Sequence, residues 1–239
     1  MTTKNIQDFH SNKRDLLLST TLPQKTSTYS PVPHGEIISH LLEGLDKKGL
    51  SVASENYNIA KNGQQVVGCF NIHSGDADMQ QRVMFKNSYD KSMSVGFASG
   101  GSVIVCSNGM VRGDITFKKV HKGTVLQELR GKIEDSISYL EEHFQKLIKH
   151  KEIMKDITID KRIISELTGR LFIEEGIINV EQASIIKREI DFSEHFKFDG
   201  SLWNYYNNVT QALKHSSPTT FVKSHSDLHS FIENKFELV

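Results

Sequence analysis

The sequence predicts an α+β fold: an antiparallel β-sheet of about five to seven strands, preceded by one helix and followed by a long helix and a C-terminal helical region. Three observations carry this. Ile37, Ile38, Leu41, Leu42 and Leu45 recur at helical spacing. Between residues 51 and 120, short apolar runs are divided by turn residues, including Asn62-Gly63 and Asn108-Gly109. After Gly123, apolar residues fall at intervals of seven, at Leu126, Ile133, Leu140, Leu147 and Met154.

Residues 1–33 are rich in Ser, Thr, Asn, Lys and Pro, with Pro23, Pro31 and Pro33 opposing a helix. They are expected as a flexible N-terminal arm. The first helix spans about 35–48 and stops at Gly49. Strands follow at Ser51–Ala60, Val66–Ile72, Arg82–Ser88, Met93–Ala98, Ser102–Cys106 and Met110–Val120, with Gly100-Gly101 expected as a hairpin turn. Loops this short join antiparallel neighbours, because parallel strands need long crossovers. The heptad seam predicts one helix over 124–155, too long for the core of one small domain, so part of it is expected on a second subunit. Shorter helices are expected at Asp160–Glu175, Val180–Glu189, Ser201–His215 and Ser226–Phe236. The division is thus 1–33 as arm, 34–123 as helix plus sheet and 124–239 as a helical region packed on the sheet, all one globular unit.

The chain has 239 residues, 37% of them apolar and 24% charged, which excludes collagen-like and wholly disordered classes. No run of about 18 apolar residues occurs, so no membrane association is expected. The opening MTTKNIQDFHSNKRD has no apolar core, so no signal peptide is expected. Cys69 and Cys106 sit in apolar runs, as packing thiols do, and a cytoplasmic location follows as the expectation.

Net charge is zero but unevenly spread. Residues 1–33 carry +2, 34–78 carry −3, 79–123 carry +5 and 124–239 carry −4. The basic block holds Arg82, Lys86, Lys91, Arg112, Lys118, Lys119 and Lys122. A basic stripe beside an aromatic at a strand end, here Tyr89 in a turn and expected exposed, suits a single strand of nucleic acid. Those seven cations with Tyr89 are the candidate binding residues. The alternative is that they solvate outward strand faces. Phe85 and Phe97 are expected in the core.

No G-x-G-x-x-G follows a strand, and neither a P-loop nor a nucleophile elbow occurs. No catalytic residue and no cofactor is assigned. His73, Asp76 and Asp78 are weak candidates for a cation site, although Ser74-Gly75-Asp76 is ordinary turn composition. His225 and His229 stand at i and i+4, a two-histidine metal spacing with no third ligand evident, and are expected on a solvated helix.

The blocks Phe85–Ser92, Ser94–Phe97 and Val103–Met110, with the helix start Pro33–His40 and the stretch Leu202–Thr210, resemble one family of phage- and plasmid-like proteins, the domain-of-unknown-function family 932. The resemblance spans roughly 30–215, and its most specific part is Cys106-Ser107-Asn108-Gly109-Met110. The family is similar, more remotely, to phage single-strand annealing recombinases, which implies a β-sheet with a packed helix and ring assembly. Its motif residues here are Asn87, Ser88, Asp90, Ser107, Asn108 and Gly109, each read as turn-building. Three functions follow as expectations. The first is a homo-oligomeric, non-enzymatic binder of single-stranded DNA in recombination, replication or repair. The second is an accessory protein that binds a host or phage protein, and the third is a metal-dependent nuclease.

Overall fold

The computed structural model describes residues 13–76, 78–103, 109–119, 125–192 and 198–238, of which 103, 109–119 and 125–127 are described by their backbone alone. A short helix α1 over 13–19 leads to α2 (His34–Lys47). Five strands follow: β1 (Val52–Ala60), β2 (Gln65–Ile72), β3 (Met79–Ser88), β4 (Val95–Val103) and β5 (Gly109–Lys119). They form one antiparallel meander in the order β1-β2-β3-β4-β5. The helical half comprises α3 (Val125–Ser138), α4 (Leu140–Asp156), α5 (Lys161–Gly169), a π-turn at Arg170–Glu174, α6 (Val180–Phe192), α7 (Leu202–Leu213) and α8 (Pro218–Phe236). The class is α+β.

Alternation along the strands gives the sheet two faces. On the first, Val66, Phe70, Val83, Phe85, Val95 and Phe97 pack against Ile37, Ile38 and Leu41 of α2 and Leu129 and Ile133 of α3. On the second, Val67, Cys69, Met84 and Ala98 lie beneath Phe221 and Val222 of α8. Every residue of β2 is therefore buried. A third cluster joins Phe144, Leu147 and Met154 of α4 to Tyr205, Tyr206 and Val209 of α7 and Leu228 and Ile232 of α8.

Three expectations are corrected. From residue 13 the expected free arm is packed: Leu17 and Val32 are fully buried in the first-face core, and Arg14 pairs with Glu55 at 3.3 Å. Gly100-Gly101 is no turn but lies in the middle of β4, Gly100 opposite Arg82 and Gly101 opposite Gln81. The Cβ of an alanine at 101 would stand 2.3 Å from Met79 Cε, the flexible end of that side chain, so the strand passes close to Met79 here. The expected single helix over 124–155 is interrupted at Tyr139. Just before it, Ser136 and Ser138 hydroxyls donate back to the carbonyls of Lys132 and Glu134, a pattern that bends helices. Its seam is also covered within this chain at Ile133, Leu140, Leu147 and Met154, which are all buried, while the Leu126 side chain lies outside those described.

Candidate functional site

The alternation that points Val83 and Phe85 to one face points Arg82 and Lys86 to the other. Most of that second face is covered, and both cations are largely buried. Arg82 is 4% exposed and donates from Nε to Asn71 Oδ1 at 2.8 Å and from Nη2 to Ser102 Oγ at 2.6 Å. Lys86 is buried on the same face. It stands opposite Gly96, which stands opposite Lys118, so the three form one row across β3, β4 and β5. Lys119 pairs with Val95, and Arg112 lies on β5. Lys122 lies outside the described residues. Lys91 is exposed in the β3–β4 turn at φ 65°, its Nζ 4.8 Å from the centre of the Tyr29 ring. Tyr89, expected in solvent, is 5% exposed and stacks on His34 with ring centres 3.9 Å apart. Among the basic-block side chains that the structure describes, Arg82 and Lys86 are thus buried and Lys91 is exposed.

The motif residues tie the turn to the segment before α2. Asn87 donates from Nδ2 to Val32 O at 2.8 Å and meets His34 Nδ1 at 3.0 Å. Ser88 Oγ accepts from Met93 N and donates to Met93 O. Asp90 accepts from Ser92, Gln65 and Lys61. Burial pushes the Asp90 carboxyl up, but these donors outweigh it and hold it well below the usual range. Gly109 opens β5 opposite Ser102, and Ser107 and Asn108 lie outside the described residues.

Arg82 reaches a cleft of about 390 Å³ on the second face. Lys13 comes to it from α1, Asn56 and Asn58 from β1, Cys69 from β2, Lys214 from the end of α7 and Phe221 from α8. Three segments far apart in sequence each bring a cation, and none of the described residues lining the cleft is a carboxylate. Asn58 Nδ2 also donates to Ser216 O at 3.1 Å, which fixes the α7–α8 connection beside β1. The positive field is felt by His225, fully buried behind Phe221 with ring centres 4.4 Å apart. Burial lowers its pKa to about 4, with Arg82 and Lys214 adding to the shift and the Phe221 carbonyl opposing it. Burial likewise raises the Cys69 thiol, against the Arg82 charge. Among these residues only Arg82 belonged to the expected binding set. The others come from segments whose neighbourhood the sequence does not reveal.

Of the weak candidates for a cation site, His73 is exposed, and Asp76 and Asp78 each face an ammonium group. Lys151 Nζ lies 3.0 Å from Asp76, which also accepts the backbone N–H of Asp78 and Met79, and Lys155 Nζ lies 2.9 Å from Asp78. These pairs pin the β2–β3 loop to α4. His225 and His229, expected on a solvated helix, are both fully buried. His229 has partners that could hold a metal: His150 of α4, and Glu233 one turn further along α8, with one ligand atom of each within 4.8 Å of the others.

No helix among the described residues is long and apolar enough to cross a membrane. No curated protein and no solved structure matches the chain. One family model does match, that of the Domain of unknown function (DUF932), over residues 22–231. That span takes in α2, the whole sheet and most of α8, and so includes the cleft apart from Lys13. The chain belongs to the DUF932 family.

Proposed function

We propose that this protein is a non-enzymatic binder of single-stranded nucleic acid, serving DNA recombination, replication or repair, with the second-face cleft as its phosphate site. The observation that carries this reading is the convergence of Lys13, Arg82 and Lys214 on one cleft with no carboxylate among its described lining residues. Cations gathered in this way neutralise phosphates and release counterions. A cleft of this volume takes a nucleotide splayed from a single strand, whereas a duplex is read by elements lying along its grooves. Asn56 and Asn58 add neutral hydrogen-bonding groups at the rim.

The test is fluorescence anisotropy with single- and double-stranded oligonucleotides over a salt series. Single-strand affinity should fall with salt at a log–log slope of about −0.7 per phosphate, so about −2 for three contacts. Lys13→Glu with Lys214→Glu should flatten the slope and weaken binding to every sequence alike. Lys187→Glu with Lys223→Glu, on exposed helix surface, is the control. No binding at low salt, or equal loss from both pairs, overturns the reading. A protein partner is the second reading, favoured by the exposed Phe172, Ile173, Val180 and Phe192 at 40%, 78%, 66% and 75%.

A further inference from the structure

Independently of the cleft, we propose that His150, His229 and Glu233 form a binding site for a divalent transition-metal cation of the zinc class, clamping α4 to α8.

The donor set is two imidazoles and a carboxylate, the nitrogen–oxygen chemistry that zinc and its neighbours take. His229 and Glu233 are at i and i+4, so one helix face presents both. His150 arrives from α4, its Nδ1 3.1 Å from His229 Nε2 and the two rings inclined by 15°. Two nitrogens bound tetrahedrally at zinc distances stand about 3.3 Å apart, so this pair is already spaced for a shared cation. Glu233 Oε1 lies 3.9 Å from His150 Nε2, which is too long for a hydrogen bond. Its side chain is 28% exposed, and one ligand atom of each of the three residues lies within 4.8 Å of the others.

The surroundings favour occupancy. Both histidines are buried, at 3% and 0% exposure, in the cluster that holds Leu147, Met154, Leu228 and Ile232. Tyr206 Oη, fully buried, lies 3.3 Å from His229 Nδ1. A hydroxyl there accepts from Nδ1–H and leaves Nε2 for the metal, the usual outer support of a ligating histidine. Three protein donors leave a fourth position for water on the partly exposed Glu233 side.

The clamp has a structural consequence. Helix α4 supports the first face of the sheet and α8 crosses the second, so a cation between them fastens the two layers together. The site is distinct from the cleft, which meets α8 at Phe221.

The test uses the untagged full chain, stripped with EDTA and dialysed against Zn²⁺. We expect one Zn²⁺ per chain by elemental analysis, and a melting temperature about 5–10 °C higher at a hundredfold excess over Kd. Co²⁺ should give the visible bands of a tetrahedral nitrogen–oxygen site. Glu233→Gln, at a half-buried position and so tolerated by the fold, should weaken Zn²⁺ at least tenfold and alter the Co²⁺ spectrum. His150→Gln should abolish uptake, and His73→Ala at an exposed histidine should leave it unchanged. Uptake well below one ion per chain overturns the proposal. So does unchanged affinity in Glu233→Gln, or loss of binding in His73→Ala.

Discussion

The backbone N–H of His34 donates to the hydroxyl of Tyr89 at 2.9 Å while the two rings stack face to face. A turn 55 residues downstream thereby closes over the first residue of α2. His34 completes the link from Nε2, 2.9 Å from Gly63 O. Tyr89→Ala should therefore act on folding, costing about 3–5 kcal/mol, the range for a buried aromatic. Tyr89→Phe keeps the stack and loses about 1 kcal/mol. Urea unfolding of the three proteins checks this, and an alanine variant of native stability would show that the stack does not hold the turn.

The Asp90 carboxyl predicts a pH dependence. Its folded pKa lies below its ordinary 3.8, so its stabilisation is complete above about pH 4 and is lost as pH falls through the folded value. Asp90→Asn should cost roughly 2 kcal/mol at neutral pH, as charge-assisted hydrogen bonds do. The gap between variant and parent should then narrow steadily below about pH 4. Denaturation midpoints at several pH values measure it, and a constant gap would place the loss outside the carboxylate's charge.

Two glycines in the sheet should respond differently to the same change. A Cβ on Gly68 would meet the Phe85 ring at 2.0, 2.6 and 2.8 Å, and that ring is held by Phe70 and Tyr57. A Cβ on Gly101 would meet chiefly the flexible end of Met79. Gly68→Ala should thus cost about 3 kcal/mol or more and Gly101→Ala under about 1 kcal/mol, overpacking being tolerated only where a neighbour can yield. Equal losses would show that the Phe85 ring has room to move.

What the sequence makes legible follows from how local each signal is. The α2 stripe, the Asn62-Gly63 turn and the strands through Ser88 are written within windows of a dozen residues, and the structure keeps them. Gly100-Gly101 misleads because a glycine chosen for cross-strand packing looks the same as one chosen for a turn. Arg82 and Lys86 mislead for a longer-range reason. Alternation places them opposite the core face, yet α8, more than a hundred residues later, covers most of that second face. The metal set is half legible: the i, i+4 spacing of His229 and Glu233 is visible in the sequence. Its completion by His150, 79 residues away, exists only once α4 and α8 have packed.

The buried seam carries its own test. Leu140 is 1% exposed within the first-face core of a single chain. Leu140→Asp should therefore unfold the protein by placing an unpaired carboxylate in apolar surroundings. Circular dichroism with light scattering separates the outcomes. A folded variant whose mass falls to that of one chain would instead mean that Leu140 faces a second subunit.

The last prediction concerns Lys151, whose side chain is 2% exposed. Removing one partner of a buried pair leaves the other charge stranded, typically at a cost of about 3–5 kcal/mol. Asp76 is the partner that also caps the β2–β3 loop, while Glu152 stays at 3.0 Å as a substitute. Asp76→Asn should therefore cost somewhat less, about 2–3 kcal/mol. Lys151→Met, which removes the cation and leaves Asp76 its backbone donors, should cost no more than that. The double variant should be close to the milder single one, because the two groups act on each other. Thermal unfolding of all four proteins gives the coupling directly. An additive double variant would show that Asp76 serves something other than Lys151. In that case Mg²⁺-dependent cleavage of oligonucleotides, measured with and without Asp76→Asn, becomes the next measurement.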